Sequence, residues 1–172
     1  MKYQEIKHNE MTSEMLEQLR IGAFFTTKVK DKVNTMTIGW GGINIVWNKP
    51  LFVAYVRLSR DSYDMVEKSS EFTISVPIKK DMRKELAFCG TKSGRDVDKI
   101  KEMNIALTPG RIVETPIISD CELHYECKVI YKLPMEHGLI PKDVKKRYYT
   151  NDDYHMIYYG EIVDSYIIKG EK

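Results

Sequence analysis

The sequence predicts a mainly β protein, a closed antiparallel β-barrel with short helices inserted between its strands. Residues 121–131 alternate between two faces, one apolar and one carrying His124 and Glu126, as a strand in a barrel wall does. Residues 51–56 are almost continuously apolar, which is typical of a buried strand. Several strands are joined by connections too short for a parallel crossover, so antiparallel pairing is expected.

The first part of the chain is predicted to hold one helix and four strands. β-Branched and aromatic side chains favour the strands, whereas the hydroxyl of Thr12 or Ser13 is the expected helix cap. A bend is expected at residues 41–42 and a turn at residues 48–50, where glycine or proline interrupts the pattern. In order, the expected elements are a helix over 11–20 and strands over 23–29, 33–38, 43–47 and 51–56.

The rest of the chain is predicted to mix short helices with strands. Pro77 ends one strand, and Pro109-Gly110 marks a turn inside a loop. Residues 134–149 are polar, contain two prolines and have no predicted element. The expected helices are 62–68, 80–88 and 96–103, and the expected strands are 71–76, 117–118, 121–131 and 154–168, the last as one strand or a pair around Gly160.

Composition and length are those of an ordinary globular protein. The chain has 172 residues, a net charge of +2, 42% hydrophobic and 30% charged side chains. This length predicts a single domain over residues 1–172 that buries a hydrophobic core without the help of disulfides or structural metals. Acidic and basic side chains are interspersed, which does not favour nucleic-acid binding. No leader or membrane-spanning run is visible, so we expect a cytoplasmic protein without a membrane partner.

The cysteines and histidines do not predict a metal site. Cys89, Cys121 and Cys127 include no CxxC pair, and no histidine lies at ligand spacing from a second one. A disulfide framework is likewise not expected in a protein of this class. Cys89 precedes Gly90, and we interpret it as a small buried residue rather than a reactive thiol.

Residues 34–42 are unusual for a core strand. They run Asn-Thr-Met-Thr-Ile-Gly-Trp-Gly-Gly, so hydroxyls, an amide, a thioether and an indole lie close together. The glycines allow the backbone to approach a ligand closely. We therefore expect this stretch to form one wall of a site for a flat ligand with polar edges.

A second cluster lies where a buried strand ends and a helix begins. It contains Arg57, Ser59, Arg60, Ser62 and Tyr63. A helix N-terminus offers free N–H groups, and arginines and hydroxyls add charge-assisted hydrogen bonds, so the cluster is a candidate phosphate site. The alternative is a plain helix cap made by one of the serines, with both arginines solvated.

A third cluster covers residues 93–99. Ser93, Arg95 and Lys99 are candidates for a second anion contact before a helix. The alternative is a capped helix with Asp96 and Asp98 in its first turn, which the helix dipole favours, and taken alone this alternative is the better interpretation. The chain has no P-loop and no GxGxxG pattern, so it does not match those nucleotide-binding folds.

His155 precedes a strongly apolar strand and is a candidate proton donor. The alternative is a structural histidine, because nothing near it in the sequence orients its ring. No serine has the context of a nucleophile elbow, and no pair of carboxylates stands out.

Three stretches, with two supporting ones, resemble the flavin reductase-like, FMN-binding split-barrel family, and within it the flavoredoxin-type branch. The resemblance covers residues 20–168. At position 62 the branch commonly has threonine, and Ser62 keeps the hydroxyl. The stretches that carry the resemblance are residues 23–28, 34–40, 56–62, 71–77 and 89–99.

The resemblance implies an antiparallel split β-barrel that binds FMN non-covalently near the interface of a homodimer. It places the isoalloxazine ring and ribityl chain along residues 34–40 and the phosphate at the second cluster, with Ser93 and Lys99 nearby. The implied cofactor residues are Asn34, Thr35, Met36, Thr37, Ile38, Trp40, Arg57, Ser59, Arg60, Ser62, Tyr63, Ser93 and Lys99. Residues 134–153, called the excursion below, match nothing in the family and stay without a role.

Three functions remain as hypotheses at this point. The first is an FMN-dependent oxidoreductase that takes a hydride from NAD(P)H and passes electrons to flavin, a protein or a small acceptor. The second is a flavoprotein electron carrier that exchanges electrons with a redox protein and does not oxidise NAD(P)H. The third is a split barrel for another ligand, such as haem, with His155 or His124 as an axial ligand. In the first two, FMN itself carries the chemistry, so no catalytic dyad is required.

Overall fold

Residues 2–169 are described in the computed structural model of the chain, and they form mainly β-strands connected by short helices. The strands are β1 (Lys2–Glu5), β2 (Ala23–Val29), β3 (Lys32–Ile38), β4 (Gly41–Val46), β5 (Lys49–Arg57), β6 (Glu71–Val76), β7 (Leu107–Thr108), β8 (Ile117–Ile118), β9 (Leu123–Pro134) and β10 (His155–Lys169). The helices are α1 (Thr12–Leu19), α2 (Asp61–Ser69), α3 (Arg83–Thr91), α4 (Lys99–Glu102) and α5 (Lys142–Tyr148), with a 3-10 turn at His137–Leu139. The predicted mainly β class is confirmed, and each predicted helix and strand has a counterpart. The strands predicted over 23–29, 71–76 and 117–118 have the predicted ends, whereas the ends of the other elements differ.

The main sheet is a single antiparallel path. Its strands follow the order β3-β2-β6-β9-β10-β5-β4, and β1 attaches to β10 beside that path. Each of these pairings is antiparallel, as predicted. β3 and β4 are the two ends of the path, and no ladder joins them within the described part of the chain. The closed barrel predicted from the residues is therefore open between these two strands.

β10 connects the two parts of the sheet. One edge pairs with β9, and the other edge pairs first with β5 and then with β1. Its register shifts between Tyr159 and Gly160, and again between Ile162 and Asp164. Such bulges bend a strand and increase its twist. The irregularity predicted around Gly160 is therefore a bulge within one long strand.

Large apolar side chains fill the barrel. Phe25, Phe52, Phe72, Tyr125 and Tyr158 have no exposed surface and belong to one core cluster. The rings of Phe25 and Phe72 stack with their centroids 4.7 Å apart. Burying a side chain of this size contributes about 1.5–3 kcal/mol relative to leaving it in water. The core therefore gives the site a rigid wall.

His124 and Glu126, on the polar face of β9, are fully buried, which the sequence pattern does not indicate. The Glu126 carboxylate accepts hydrogen bonds from the N–H groups of Arg111, Ile112 and Val113 at 2.7, 2.7 and 2.9 Å. It also accepts one from the Tyr166 hydroxyl at 2.7 Å. A buried carboxylate is costly unless such donors satisfy it. These bonds fix the loop before β8 over the outer face of the sheet.

The helix ends differ from the predicted ones. α1 has Met11 at its N-cap, in the left-handed region with φ of 59°, and neither predicted hydroxyl caps it. The Thr12 hydroxyl donates instead to the Asn9 carbonyl at 2.8 Å. α4 is a single turn, shorter than predicted, because Asp98 is its cap and accepts a hydrogen bond from the N–H of Lys101. No helix within residues 2–169 is long and apolar enough to cross a membrane.

Several elements were not predicted. The excursion contains the 3-10 turn and α5, and β1 and β7 are short strands at the edges of their sheets. Gly41 and Gly42 do not form the predicted bend, since both lie in β4 and pair with β5. The turn predicted at residues 48–50 is present and lies one residue earlier, at Trp47 and Asn48, whose φ angles of 52° and 56° are left-handed. Two consecutive left-handed residues are typical of a tight hairpin turn.

Candidate functional site

Three cavities lie along β3, the loop after it, and the excursion. The polar cavity, of about 160 Å³, is lined by Met36, Thr37, Ile38, Gly39, Trp40, Tyr55, Arg57, Arg60 and His155. The loop cavity, of about 280 Å³, lies between residues 31–34 and 94–99. The excursion cavity, of about 560 Å³, lies between the excursion and β10. Trp40 lines both the polar cavity and the excursion cavity, so these two are adjacent.

The polar cavity is assembled from distant parts of the chain. The end of β3 and the residues after it supply one wall, and the end of β5 supplies Tyr55 and Arg57. Antiparallel pairing of β5 with β10 sets His155 directly opposite Arg57. Arg60 enters from the loop before α2. The six predicted residues gathered here are Met36, Thr37, Ile38, Trp40, Arg57 and Arg60, together with the candidate His155.

The two arginines of the polar cavity are in different situations. The Arg57 guanidinium donates to the backbone carbonyls of Asp153 and, at 2.9 Å, of Tyr148, and it lies 5.2 Å from the centre of the Tyr149 ring. The Arg60 guanidinium makes no hydrogen bond or ion pair within residues 2–169. Arg60 is therefore the cation that remains available to an anion, whereas Arg57 holds the excursion in place.

Ser59 is bound to a carboxylate of the excursion. Its N–H donates to one oxygen of Asp153 at 3.1 Å, and its hydroxyl donates to the other at 2.6 Å. The sequence predicts that these two donors hold a phosphate, and here a carboxylate takes both. Ser59 does not line the polar cavity, and it lies beside the cavity together with Asp153.

His155 is held by two aromatic residues. The Tyr149 hydroxyl is 2.9 Å from its Nδ1, and the Trp40 ring lies 4.9 Å from its ring, centroid to centroid. Burial, reinforced by the charge of Arg57, lowers the pKa of His155 to about 4. The imidazole is therefore neutral at neutral pH. Because Tyr149 engages Nδ1, Nε2 is the nitrogen without a hydrogen-bond partner among the described residues.

Four of the predicted residues lie behind the polar cavity. The Asn34 amide donates to the Ser62 hydroxyl at 2.9 Å, and both side chains are buried. Thr35 is fully buried and shares a hydrogen bond with Thr26 at 3.0 Å. Tyr63 packs against the barrel core. Asn34 faces the loop cavity, whereas the other three line none of the three cavities.

The loop cavity contains one unpaired ammonium group. Lys32 pairs with Asp61 at 2.9 Å, and Arg95 pairs with Asp64 at 2.7 Å. Lys99 is buried, has no carboxylate within 4 Å in the described part of the chain, and lies 3.5 Å from a single backbone carbonyl. Burial, with a contribution from the charge of nearby Arg60, lowers the pKa of Lys99 to about 8. Lys99 is therefore a second available cation near the first.

Ser93 has a local structural role. Its hydroxyl accepts a hydrogen bond from the N–H of Arg95 at 3.1 Å, which shapes the loop before α4. The predicted first turn with Asp96 inside it is wrong, because α4 begins only after Asp98. Gly94 lies directly against the Asn34 side chain, since a Cβ at this position would be 2.3 Å from the Asn34 amide oxygen. No larger residue fits between this loop and β3.

The excursion cavity is lined almost entirely by apolar and aromatic side chains. Trp40 and Tyr148 meet edge to face, with ring centroids 5.4 Å apart. Glu136 is the only charged residue among the lining residues. Those residues are Trp40, Leu133, Pro134, Met135, Glu136, Leu139, Ile140, Pro141, Val144, Tyr148, Tyr149 and Ile157. This cavity could not be predicted from the sequence, because the excursion matches no pattern.

His124 and Cys89 take no part in these cavities. His124 is fully buried, with Nδ1 3.1 Å from the Ser75 hydroxyl and Nε2 2.9 Å from the Cys121 carbonyl. Both ring nitrogens are engaged, so the hypothesis of His124 as an axial haem ligand is wrong. Cys89 is buried, as predicted, and burial raises the pKa of its thiol to about 11. A thiol with so high a pKa is a poor nucleophile at neutral pH.

Three residues of the site were missed by the sequence analysis. Tyr55 could have been found, because it lies two residues before Arg57 on the same strand and therefore on the same face. Tyr149 and Asp153 carry no such signal, since their contacts depend on how the excursion folds back. The assembled groups can hold a flat molecule against aromatic side chains and an anion at Arg60 or Lys99.

The chain matches a family model over most of its length and a curated protein over part of it. Residues 22–172 match the family model described as a flavin reductase like domain. An uncharacterized protein of Pyrococcus abyssi is 32% identical over 100 residues, which is 58% of this chain and 55% of that protein. The matched region thus spans little more than half the length of that relative.

Solved structures of similar fold include two flavoredoxins. The flavoredoxin from Methanosarcina acetivorans has a TM-score of 0.68 and 24% identity, covering 86% of this chain and 68% of that one. The flavoredoxin of Desulfovibrio vulgaris has a TM-score of 0.67 and 23% identity, with coverages of 86% and 69%. An FMN-binding domain of a flavin reductases-like enzyme from Shewanella baltica has a TM-score of 0.67 and 14% identity, with coverages of 96% and 77%. At these identities the likeness shows the fold, and it confirms the implied split barrel.

Proposed function

The chain belongs to the flavin reductase like domain family, a family of flavin-related oxidoreductases, and from this premise we propose that it is an FMN-dependent oxidoreductase that accepts electrons from NAD(P)H. The observation that carries the proposal is the polar cavity, where an unpaired Arg60 faces the glycine-rich end of β3. A flat ring with an anionic tail needs both features. FMN offers both, together with its own hydride and electron chemistry.

The chemical types of the residues around the polar cavity suit FMN. The backbone of residues 36–40 and the rings of Trp40 and Tyr55 provide a wall for the isoalloxazine ring. Arg60, whose guanidinium makes no hydrogen bond or ion pair within residues 2–169, and the buried Lys99 are the proposed donors for the phosphate. Ser59 and Arg57 become further phosphate donors when the hydrogen bonds from their side chains to the excursion are broken. Charge-assisted hydrogen bonds of this type contribute about 1.5–3 kcal/mol each.

The remaining implied residues support the site indirectly. Asn34 and Ser62 bind each other and fix β3 against the start of α2. Ser93 shapes the loop that carries Lys99. His155, held by Tyr149, presents a neutral ring to the cavity and is proposed to position the polar edge of the cofactor or its reaction partner through Nε2.

The first experiment is reconstitution followed by anaerobic reduction. Purified protein mixed with FMN, FAD or riboflavin is passed through a desalting column, and the retained flavin absorbance is measured. We expect FMN to be retained in preference to FAD and riboflavin. Subsequent anaerobic mixing with NADH or NADPH should bleach the flavin absorbance. Protein that retains no flavin would contradict the proposal.

A substitution tests the phosphate contact in the same assay. Arg60→Ala should weaken FMN binding by about 10- to 100-fold, since one charge-assisted contact is lost. Riboflavin, which lacks the phosphate, should bind the variant and the parent protein equally. Arg20→Ala, an exposed arginine outside the site, is the matched control. Equal losses for both flavins would count against Arg60 as a phosphate ligand.

The homodimer remains a proposal that has its own support. Ile45 and Trp47 on the β4–β5 hairpin are 57% and 63% exposed. Trp47 meets Tyr131 edge to face at 6.0 Å, and Tyr131 lies 5.4 Å from the Tyr159 ring, so the exposed side chains form a patch. Exposed apolar patches often mark protein interfaces. Light scattering that gives the mass of one chain would refute the dimer.

A further inference from the structure

The excursion cavity is suited to a small apolar ligand. Its volume of about 560 Å³ falls inside the range of about 300–1,000 Å³ typical of ligand sites. Met135, Ile140, Val144 and Tyr148 line it from the excursion, and Trp40 lines it from the loop after β3. The enclosing segment combines a 3-10 turn with α5, so the cavity has a formed wall.

The charges around the cavity restrict its occupant to a neutral molecule. No lysine, arginine or histidine is among its lining residues. An anion carried into it would lose its water without gaining a cation, which is costly. The single lining carboxylate, Glu136, is 63% exposed and therefore lies at the water-accessible edge of the cavity. A cation buried among the apolar lining residues would lose its water without gaining a buried carboxylate.

The aromatic wall indicates what kind of neutral molecule fits. Trp40 and Tyr148 already meet in the edge-to-face arrangement that aromatic rings prefer. A ring placed against them gains a similar contact, worth about 0.5–1.5 kcal/mol beyond the burial of its surface. A molecule of one or two fused rings fits inside the cavity, whose volume is about 560 Å³.

The location relates this cavity to the proposed cofactor site. Trp40 is a wall of both the polar cavity and the excursion cavity, and Tyr149, which holds His155, also lines the excursion cavity. We infer that the excursion cavity binds a neutral aromatic molecule of one or two rings, of the quinone type, as the electron acceptor. The acceptor role rests on the proposed function, whereas the binding itself does not.

The reaction balances for this class of acceptor. A quinone becomes a hydroquinone by gaining two electrons and two protons, which form two O–H bonds. One NAD(P)H supplies a hydride, equal to two electrons and one proton, and water supplies the second proton. No further oxidant or reductant is required.

Binding of 2-naphthol, a neutral two-ring probe that is not itself reduced, tests the inference. Calorimetric titration of the FMN-loaded protein should show one site. Val144→Trp places an indole ring in the cavity and should weaken binding about tenfold or more while FMN retention stays unchanged. Ile140→Trp obstructs the cavity from another lining position and serves if the first variant does not fold. Ile112→Trp, at a position that is 56% exposed and outside the cavity, is the matched control and should bind like the parent.

Three results would overturn the inference. The first is equal binding of 2-naphthol by the parent and by Val144→Trp. The second is binding of the anion 2-naphthoate as tightly as 2-naphthol. The third is a parent that binds no probe, together with a shift from dimer to monomer in Val144→Trp. The last result would mean that a second copy of the chain covers the cavity. Failure of the parent to retain FMN contradicts the proposed function instead, and the 2-naphthol titration then still tests the cavity in the flavin-free protein.

Discussion

At the scale of single residues, Asp153 connects the excursion with the proposed phosphate donors. Its carboxylate accepts both hydrogen bonds of Ser59, and its backbone carbonyl accepts one from Arg57. A phosphate that uses Ser59 must displace this carboxylate and also approach its negative charge. Asp153 therefore competes with the cofactor, and the neutral amide of asparagine would compete less.

Replacement of Asp153 by asparagine is expected to strengthen FMN binding. Removing one negative charge beside the phosphate should favour FMN by about 1 kcal/mol, or about fivefold in Kd. Riboflavin affinity should not change. Quenching of flavin fluorescence during titration gives both constants. Weaker FMN binding by Asp153→Asn would show that Asp153 supports the site rather than competing for it.

The sequence predicts the local half of this site and not the distant half. Met36, Thr37, Ile38, Trp40, Arg57 and Arg60 come together because each cluster is short and lies at a strand end. Asp153 and Tyr149 contact the site only because β10 pairs with β5, and sequence periodicity does not specify which strands pair. Ser59 is an example: its N–H and hydroxyl could be predicted as donors from the sequence, whereas their acceptor, the Asp153 carboxylate, could not.

At the scale of elements, the bulge in β10 allows the strand to cross the filled core. Gly160 lies at this bulge opposite Val129 of β9. A Cβ at this position would lie 2.5 Å from the Phe72 ring and 2.8 Å from the Cys127 Cβ. These distances are below normal contact, so only glycine fits. The close approach brings the backbone of β10 directly onto the barrel core.

Gly160→Ala should lower the free energy of unfolding by about 1–3 kcal/mol, the usual cost of overpacking a core. Gly42→Ala is the matched control, because a Cβ there would meet only the Leu16 side chain at 3.8 Å, an ordinary contact. The control should stay within about 0.5 kcal/mol of the parent. Urea denaturation measures both variants, and equal stabilities would contradict the steric argument.

The strands were easier to predict than the helices for a physical reason. β6 and β9 carry alternating or buried apolar residues, and the burial of those residues determines the element. α5 has no fully buried residue, so its sequence shows no apolar face that would reveal a helix. The glycines at 41–42 misled the prediction, because pairing with β5 outweighs their local preference for a bend.

At the scale of the whole molecule, two buried histidines couple folding to pH. Burial lowers the pKa of His124 and of His155 to about 4. In the unfolded chain a histidine titrates near its ordinary pKa of about 6.5. Between these values the unfolded state binds more protons than the folded state, so acidification favours unfolding. The stabilising contribution is complete above about pH 6.5 and is lost as the pH falls toward 4.

The free energy of unfolding should therefore decrease by about 2 kcal/mol per buried histidine between pH 7.5 and 5. Urea denaturation at closely spaced pH values measures this slope. His124 and His155 together account for the expected change of unfolding free energy with pH. In His124→Gln this change should fall by about half, whatever the stability of the variant at pH 7.5. A slope unchanged by that substitution would contradict the assignment of His124.

The position of β10 has a consequence for synthesis on the ribosome. β10 is the only link between β9 and β5 in the order of the described sheet, and it follows all other strands in the sequence. While the chain emerges, β2, β3, β6 and β9 can pair with one another, and β4 can pair with β5. These two parts have no shared strand until His155 and the residues after it leave the exit tunnel. The wall that sets His155 opposite Arg57 is therefore among the last features of the molecule to form during translation.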